Sequence, residues 1–205
     1  MFIHMPTFKK FMKQAFNAGR LTVGNSSGGL FVECGTFIVW LEASTIPNKV
    51  KGAIMELTGE LPSEGHVFKA GKEGNQYELP WNYAWNVRDD VRKADKRYTV
   101  TPIVLDDSRY NSFRFLQQTG TSNVKAISEV FIGMIDHAEI DQENGEGCVQ
   151  GPYSTEQGDM FYWQTDLCIL AVRGSKLYRG LSRMVEKAVA TINFEDDYSG
   201  LEVDV

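Results

Sequence analysis

Residues 21–43 read LTVGNSSGGLFVECGTFIVWLEA, from Leu21 to Ala43. Leu21 to Val23 lead into Gly24-Asn25-Ser26-Ser27-Gly28-Gly29. Leu30 to Cys34 follow, Gly35-Thr36 interrupts, and Phe37 to Leu41 closes the run. Short β-branched and aromatic runs separated by glycine, asparagine and serine predict three strands joined by tight turns. Glycine supplies the positive φ angles such turns need, while Ser and Asn satisfy backbone groups locally. In the second strand Leu30, Val32 and Cys34 fall on one side, Phe31 and Glu33 on the other. That alternation predicts one covered face and one partly wet one. A sheet of this kind needs a layer laid across it, and amphipathic stretches stand on both sides of it in sequence.

Upstream, Met1 to Met5 predicts a short strand before Pro6. Thr7 is placed to cap a helix in which Phe8, Phe11, Met12, Ala15 and Phe16 recur at three- and four-residue spacing. Its opposite face carries Lys9, Lys10, Lys13, Gln14 and Asn17, and no acidic residue precedes Glu33. Downstream, Ile46-Pro47-Asn48 announces a second helix from Asn48 to Thr58, with an apolar stripe of Val50, Ala53, Ile54 and Leu57. Lys49 and Lys51 sit near its start and Gly59 is placed to close it. Strands at His66–Ala70 and Gln76–Leu79 flank the turn Gly71–Asn75.

The next stretch, Pro80-Trp81-Asn82-Tyr83-Ala84-Trp85, is aromatic, and Asp89 to Arg97 is strongly charged; together they read as an excursion or a join. Beyond it, Tyr98–Leu105 and Asn111–Gln117 predict paired strands about Asp106-Asp107-Ser108. Val124–Ala138 shows the helical stripe Ile127, Val130, Phe131, Met134 and Ile135, although its β-branched content also suits a strand. Met160–Val172 reads as two strands meeting near Gln164–Asp166. Lys176–Ile192 predicts a helix with Leu177, Leu181, Met184, Val185, Ala188 and Ile192 on one side and Arg179, Arg183 and Lys187 on another. Residues 195–205 form an acidic tail. The expected fold class is α+β, antiparallel sheets covered by amphipathic helices, divided into residues 1–97 and 98–205.

The composition, 42% hydrophobic and 23% charged over 205 residues, is that of an ordinary globular chain. A net charge of −6 argues against a surface that coats nucleic acid everywhere and leaves room for a local basic face. Apolar runs such as Phe37–Leu41 are far short of a bilayer span. The N-terminus lacks the apolar core of a secretory signal, so a cytoplasmic location is expected. Cys34, Cys148 and Cys168 are widely spaced and odd in number, which predicts reduced thiols.

Site chemistry narrows quickly. The turn at 24–29 lacks the Gly-Lys-Ser/Thr ending of a phosphate loop and runs into a strand, so it reads as a hairpin turn. Asp136, His137 and Glu139 have the residue types of a metal-assisted hydrolase, but neighbours in sequence point in different directions. That reading stays an alternative, Asp106-Asp107 is a weaker case, and no catalytic residue, metal or cofactor is expected. Trp81, Tyr83 and Trp85, in the loop 80–86, are candidate partner contacts and support a second alternative, a protein-interaction or assembly module. Phe161, Tyr162 and Trp163 read as core. The remaining feature is cationic: Lys9, Lys10, Lys13, Lys49, Lys51, Arg179, Arg183 and Lys187 bias helix faces one way in an acidic chain, where solvated helices usually mix signs. Such faces predict a surface for phosphates.

The order strand, amphipathic helix, three strands, second helix at Ile46-Pro47-Asn48-Lys49-Val50, then the connection Leu61-Pro62-Ser63-Glu64-Gly65 into further strands resembles one repeat of the DNA polymerase sliding clamp. The second half is similar in part, down to its closing Ile169-Leu170-Ala171-Val172-Arg173. It departs in lacking a counterpart of the first helix between Tyr98 and Asn123 and in adding Lys176–Ile192. In that family acidic proteins form rings with sheets outside and basic helices facing the duplex. The resemblance therefore implies a non-enzymatic, DNA-contacting replication accessory of two clamp-like halves, with duplex DNA and replication proteins as partners and Lys9, Lys10, Lys13, Lys49 and Lys51 facing phosphate. It leaves a homo-oligomer open without implying ring closure, which depends on edge strands.

Overall fold

In a computed structural model, residues 1–78, 87–107, 111–136, 149–156, 159–177 and 180–194 are described. The quoted stretch folds as three antiparallel strands, β1 (Leu21–Ser26), β2 (Gly29–Glu33) and β3 (Phe37–Glu42). Helix α1 (Met5–Asn17) precedes them; α2 (Asn48–Thr58), β4 (His66–Gly71) and β5 (Gly74–Glu78) follow. The chain continues through α3 (Val87–Lys93), β6 (Lys96–Asp107), β7 (Asn111–Gln118), β8 (Val124–Ser128), a 3-10 turn (Glu129–Met134), β9 (Gln150–Ser154), β10 (Met160–Gln164), β11 (Cys168–Arg173) and α4 (Leu181–Val189). All strand pairings are antiparallel, and the order is β5-β4-β1-β2-β3-β11-β10-β9-β6-β7-β8. The fold is thus α+β, a large antiparallel sheet with few helices. β11 lies against β3 in the register Leu170↔Val39, so strands distant in sequence meet at the middle of the sheet.

Three apolar clusters hold these layers. The central one joins Phe8, Met12 and Ala15 of α1 and Val50, Ala53 and Ile54 of α2 to Val23, Val32, Val39 and Leu170, and extends to Leu116, Ile127 and Phe131. Phe37 anchors it, edge-on to Phe8, Phe11 and Phe131 at 6.3, 5.7 and 5.8 Å. The second occupies the other face of the same strands: Phe31, Ile38, Trp40 and Val67 under Val87 and Val91 of α3. The third packs Phe115, Val124 and Ala126 beneath Val185 and Val189 of α4, together with Phe194. Alternation in β7 and β8 feeds two clusters, Leu116 and Ile127 pointing to the central one, Phe115 and Ala126 to the third.

Several expectations are corrected. Phe31 does not face a partly wet side; the charged stretch after residue 86 is a helix whose valines, four residues apart, cover it. α1 begins at Met5, with His4 at the cap position making no side-chain cap bond, because Pro6 needs no N–H partner in the first turn. Thr7 lies inside the helix, its Oγ1 2.8 Å from His4 Nδ1. The first residues form an isolated bridge, Ile3 to Ile135, where a strand was expected. Over residues 124–136 the expected helix does not form: alternation and β-branching win, giving β8 and then the 3-10 turn, while residues 137 and 138 lie outside the described residues. The C-terminal helix covers Leu181–Val189, and the expected apolar side is split: Met184 is 69% exposed, Ile192 40% and Ala188 is exposed as well, while Val185 packs on the core beside Val189, which was not among the residues expected there.

Other expectations hold. α2 has the expected bounds, with Gly59 left-handed at φ 77°. Phe161, Tyr162 and Trp163 are buried. Cys34 is a free thiol, Cys168 is buried at the start of β11, and Cys148 lies outside the described residues.

Candidate nucleic-acid interface

Helix periodicity fixes what α1 shows to solvent. With Phe8, Met12 and Ala15 buried, Lys9, Lys10, Lys13, Gln14 and Asn17 come out on the exposed side. In α2 the burial of Val50, Ala53 and Ile54 leaves Lys49 exposed and Lys51 half-buried. The helices pack against one another and share the central cluster, so these five lysines belong to one layer. None makes an ion pair with a described carboxylate; the ion pairs found among the described residues are Arg88–Glu42, Arg92–Asp89, Lys96–Asp95 and Arg114–Glu129. Arg20, exposed just beyond α1, has no helical pattern to single it out in the sequence, although it lies in the same acid-free stretch.

The other cations are placed apart. Arg183 and Lys187 are exposed on α4, which covers the third cluster, on the far side of β7 and β8 from α1. Arg179 lies outside the described residues, as do Trp81, Tyr83 and Trp85 and, from the hydrolase alternative, His137 and Glu139. Asp136 is half-buried, its N–H donating to Phe2 O at 2.6 Å. Asp106, expected in a turn, lies in β6 and accepts a hydrogen bond from Ser112 at 2.5 Å. No three of the described His, Cys, Asp and Glu residues stand close enough to hold a metal ion.

Burial, not a reacting partner, accounts for the perturbed acids of the sheet. Desolvation raises Glu33 above the ordinary carboxylate range against the opposing pull of Arg173 and Lys69. Burial likewise pushes the Cys34 thiol up, with Glu33 adding to it, and takes Tyr162 to about 12 with help from Asp90.

No described helix is long and apolar enough to cross a membrane. No known protein family matches the chain, nor does any curated protein. Among solved structures it is similar to a protein of Eubacterium rectale provisionally described as a DNA polymerase III beta subunit. The two share 7% identity at a TM-score of 0.35, over 89% of this chain and 67% of that one.

Proposed function

We propose that this chain contacts duplex DNA through α1 and α2 and acts, without catalysis, as an accessory to replication proteins, its two halves related in plan to sliding-clamp repeats. The observation behind this reading is the layer of five lysines without carboxylate partners among the described residues, in a chain of net charge −6. Lysine ammonium groups on rigid helices attract phosphate oxygens and release counterions, whatever the bases. The exposed side chains of α1 and α2 include no aromatic ring on which bases would stack. The contact is therefore with the backbone and is insensitive to sequence.

The test is duplex binding as a function of salt on two unrelated sequences. Affinity falls steeply with salt, and Lys9→Ala/Lys10→Ala/Lys13→Ala weakens both duplexes alike, lowering the salt slope by about one for each phosphate no longer neutralised. Unchanged binding in the triple variant, or none by the parent, removes the reading. In this reading the chain works as a homo-oligomer in the cytoplasm, with β5, at one end of the sheet, as the strand for pairing between copies; the outer side of β8, at the other end, is bridged by Ser175 through Ala126. A monomer mass in solution at micromolar concentration removes that part alone.

A further inference from the structure

We propose that the cleft between the β1–β2 turn and α3 binds a phosphate group, carried by inorganic phosphate or by a small phosphate monoester. The cleft has a volume of about 250 Å³ and is lined by Ser27, Arg88, Asp89 and Arg92. It lies on the α3 side of the sheet, opposite the layer of α1 and α2, so it is separate from the lysines of the duplex contact.

Its donors are underused. The Arg88 guanidinium lies 5.0 Å from the centre of the Trp40 ring, which orients its plane. Its described ion-pair partner, Glu42, has Oε2 at 3.7 Å from Nη1, beyond hydrogen-bond range. A guanidinium has five N–H donors in a fork that matches phosphate oxygens. Arg92 spends one donor on Asp89, at 3.2 Å, and its side chain is 72% exposed. Trp40 supplies a second, independent observation. Its Nε1 is the one buried side-chain nitrogen or oxygen among the described residues that has no hydrogen-bond partner, and Trp40 is 3% exposed. A Cβ on Gly29 would collide with Trp40 Cε2 and Cζ2, so the indole lies against the first residue of β2, next to the turn that walls the cleft.

The turn itself is unusual in one residue. Ser27 has φ 56°, the one positive value at a non-glycine among the described residues, and Gly28 follows at φ 76°. Two successive positive φ angles suit a tight hairpin, where glycine or asparagine sits at lower cost. Serine puts a hydroxyl at the mouth of the cleft instead. Phosphate oxygens there accept from Arg88, Arg92 and Ser27, while Asp89 and Glu42 offset part of the positive charge and hold the affinity to the order of millimolar.

The experiment is a nuclear magnetic resonance titration of the full chain with inorganic phosphate, chloride at equal ionic strength being the control and glycerol 3-phosphate a parallel arm. The Trp40 indole and Arg88 Nε–H signals shift saturably with phosphate and not with chloride; the tighter arm identifies the free or the esterified form as the ligand. Arg88→Gln or Arg92→Gln weakens binding about tenfold, the loss of one charge-assisted hydrogen bond, with the rest of the spectrum in place. Ser27→Gly weakens binding while raising the melting temperature, because the left-handed residue is relieved; a merely structural serine would not separate these effects. The Lys9/Lys10/Lys13 triple alanine variant leaves this binding unchanged, which keeps its outcome distinct from that of the duplex test. Absence of a saturable shift in either arm, or a shift that survives in the Arg88→Gln/Arg92→Gln double variant, overturns the proposal.

Discussion

Glu33 ends β2 half-buried, with Arg173 and Lys69 close enough to pull its carboxyl down and burial outweighing them. Its folded pKa is therefore above its unfolded value. Stability from the protonated form is complete below the unfolded value and is lost as pH rises through the folded one. Glu33→Gln accordingly raises the melting temperature at pH 7 and makes little difference near pH 3; melting curves at both pH values check this, and a larger gain at low pH contradicts it. Phe37 is the opposite kind of residue, the first apolar position of a strand that the sequence predicts. It is 1% exposed and meets three rings, so Phe37→Ala costs about 3–5 kcal/mol by urea denaturation. The cleft residues were not legible. Nothing in the spacing of Ser27, Trp40, Arg88 and Arg92 links them; only the packing of α3 on the far side of the sheet does.

At the level of elements, legibility follows the locality of the cause. α2 could be placed to the residue because proline and glycine set its ends through their own φ preferences, and the β1–β2–β3 turns were equally local. Residues 124–136 misled because apolar residues at three- and four-residue spacing also include neighbours that face two clusters, Ala126 and Ile127, and only a sheet with both faces covered makes use of that. In α4 the apolar arc is wider than the surface it covers. Met184→Lys therefore changes stability by less than about 0.5 kcal/mol, whereas Val189→Ala, under the same helix, costs about 1–3 kcal/mol. Equal losses in the two variants would mean that something covers the Met184 side in solution.

For the whole molecule, the pairing that matters most has no local signature. β3 and β11 each read as strands, but their neighbourhood is set by alternation that buries Val39 and Leu170 in the central cluster and Ile38 and Ala171 in the second. The N-terminal residues add a second tie, His4 N–H donating to Met134 O at 2.8 Å and Ile3 bridging Ile135. Residues 1–97 alone would expose the β3 edge and strip Leu116, Ile127, Phe131, Leu170 and Val172 from the cluster that α1 and α2 help to fill. An isolated 1–97 fragment is therefore expected to lack dispersed amide signals, and the intact chain to lose its tryptophan and far-ultraviolet signals in one coincident denaturant transition. Leu170→Ala, at the centre of the seam, should move that single transition by about 2–5 kcal/mol without splitting it. Two separated transitions, or a folded 1–97 fragment, would show that each half carries its own stability and that the β3–β11 seam merely joins them.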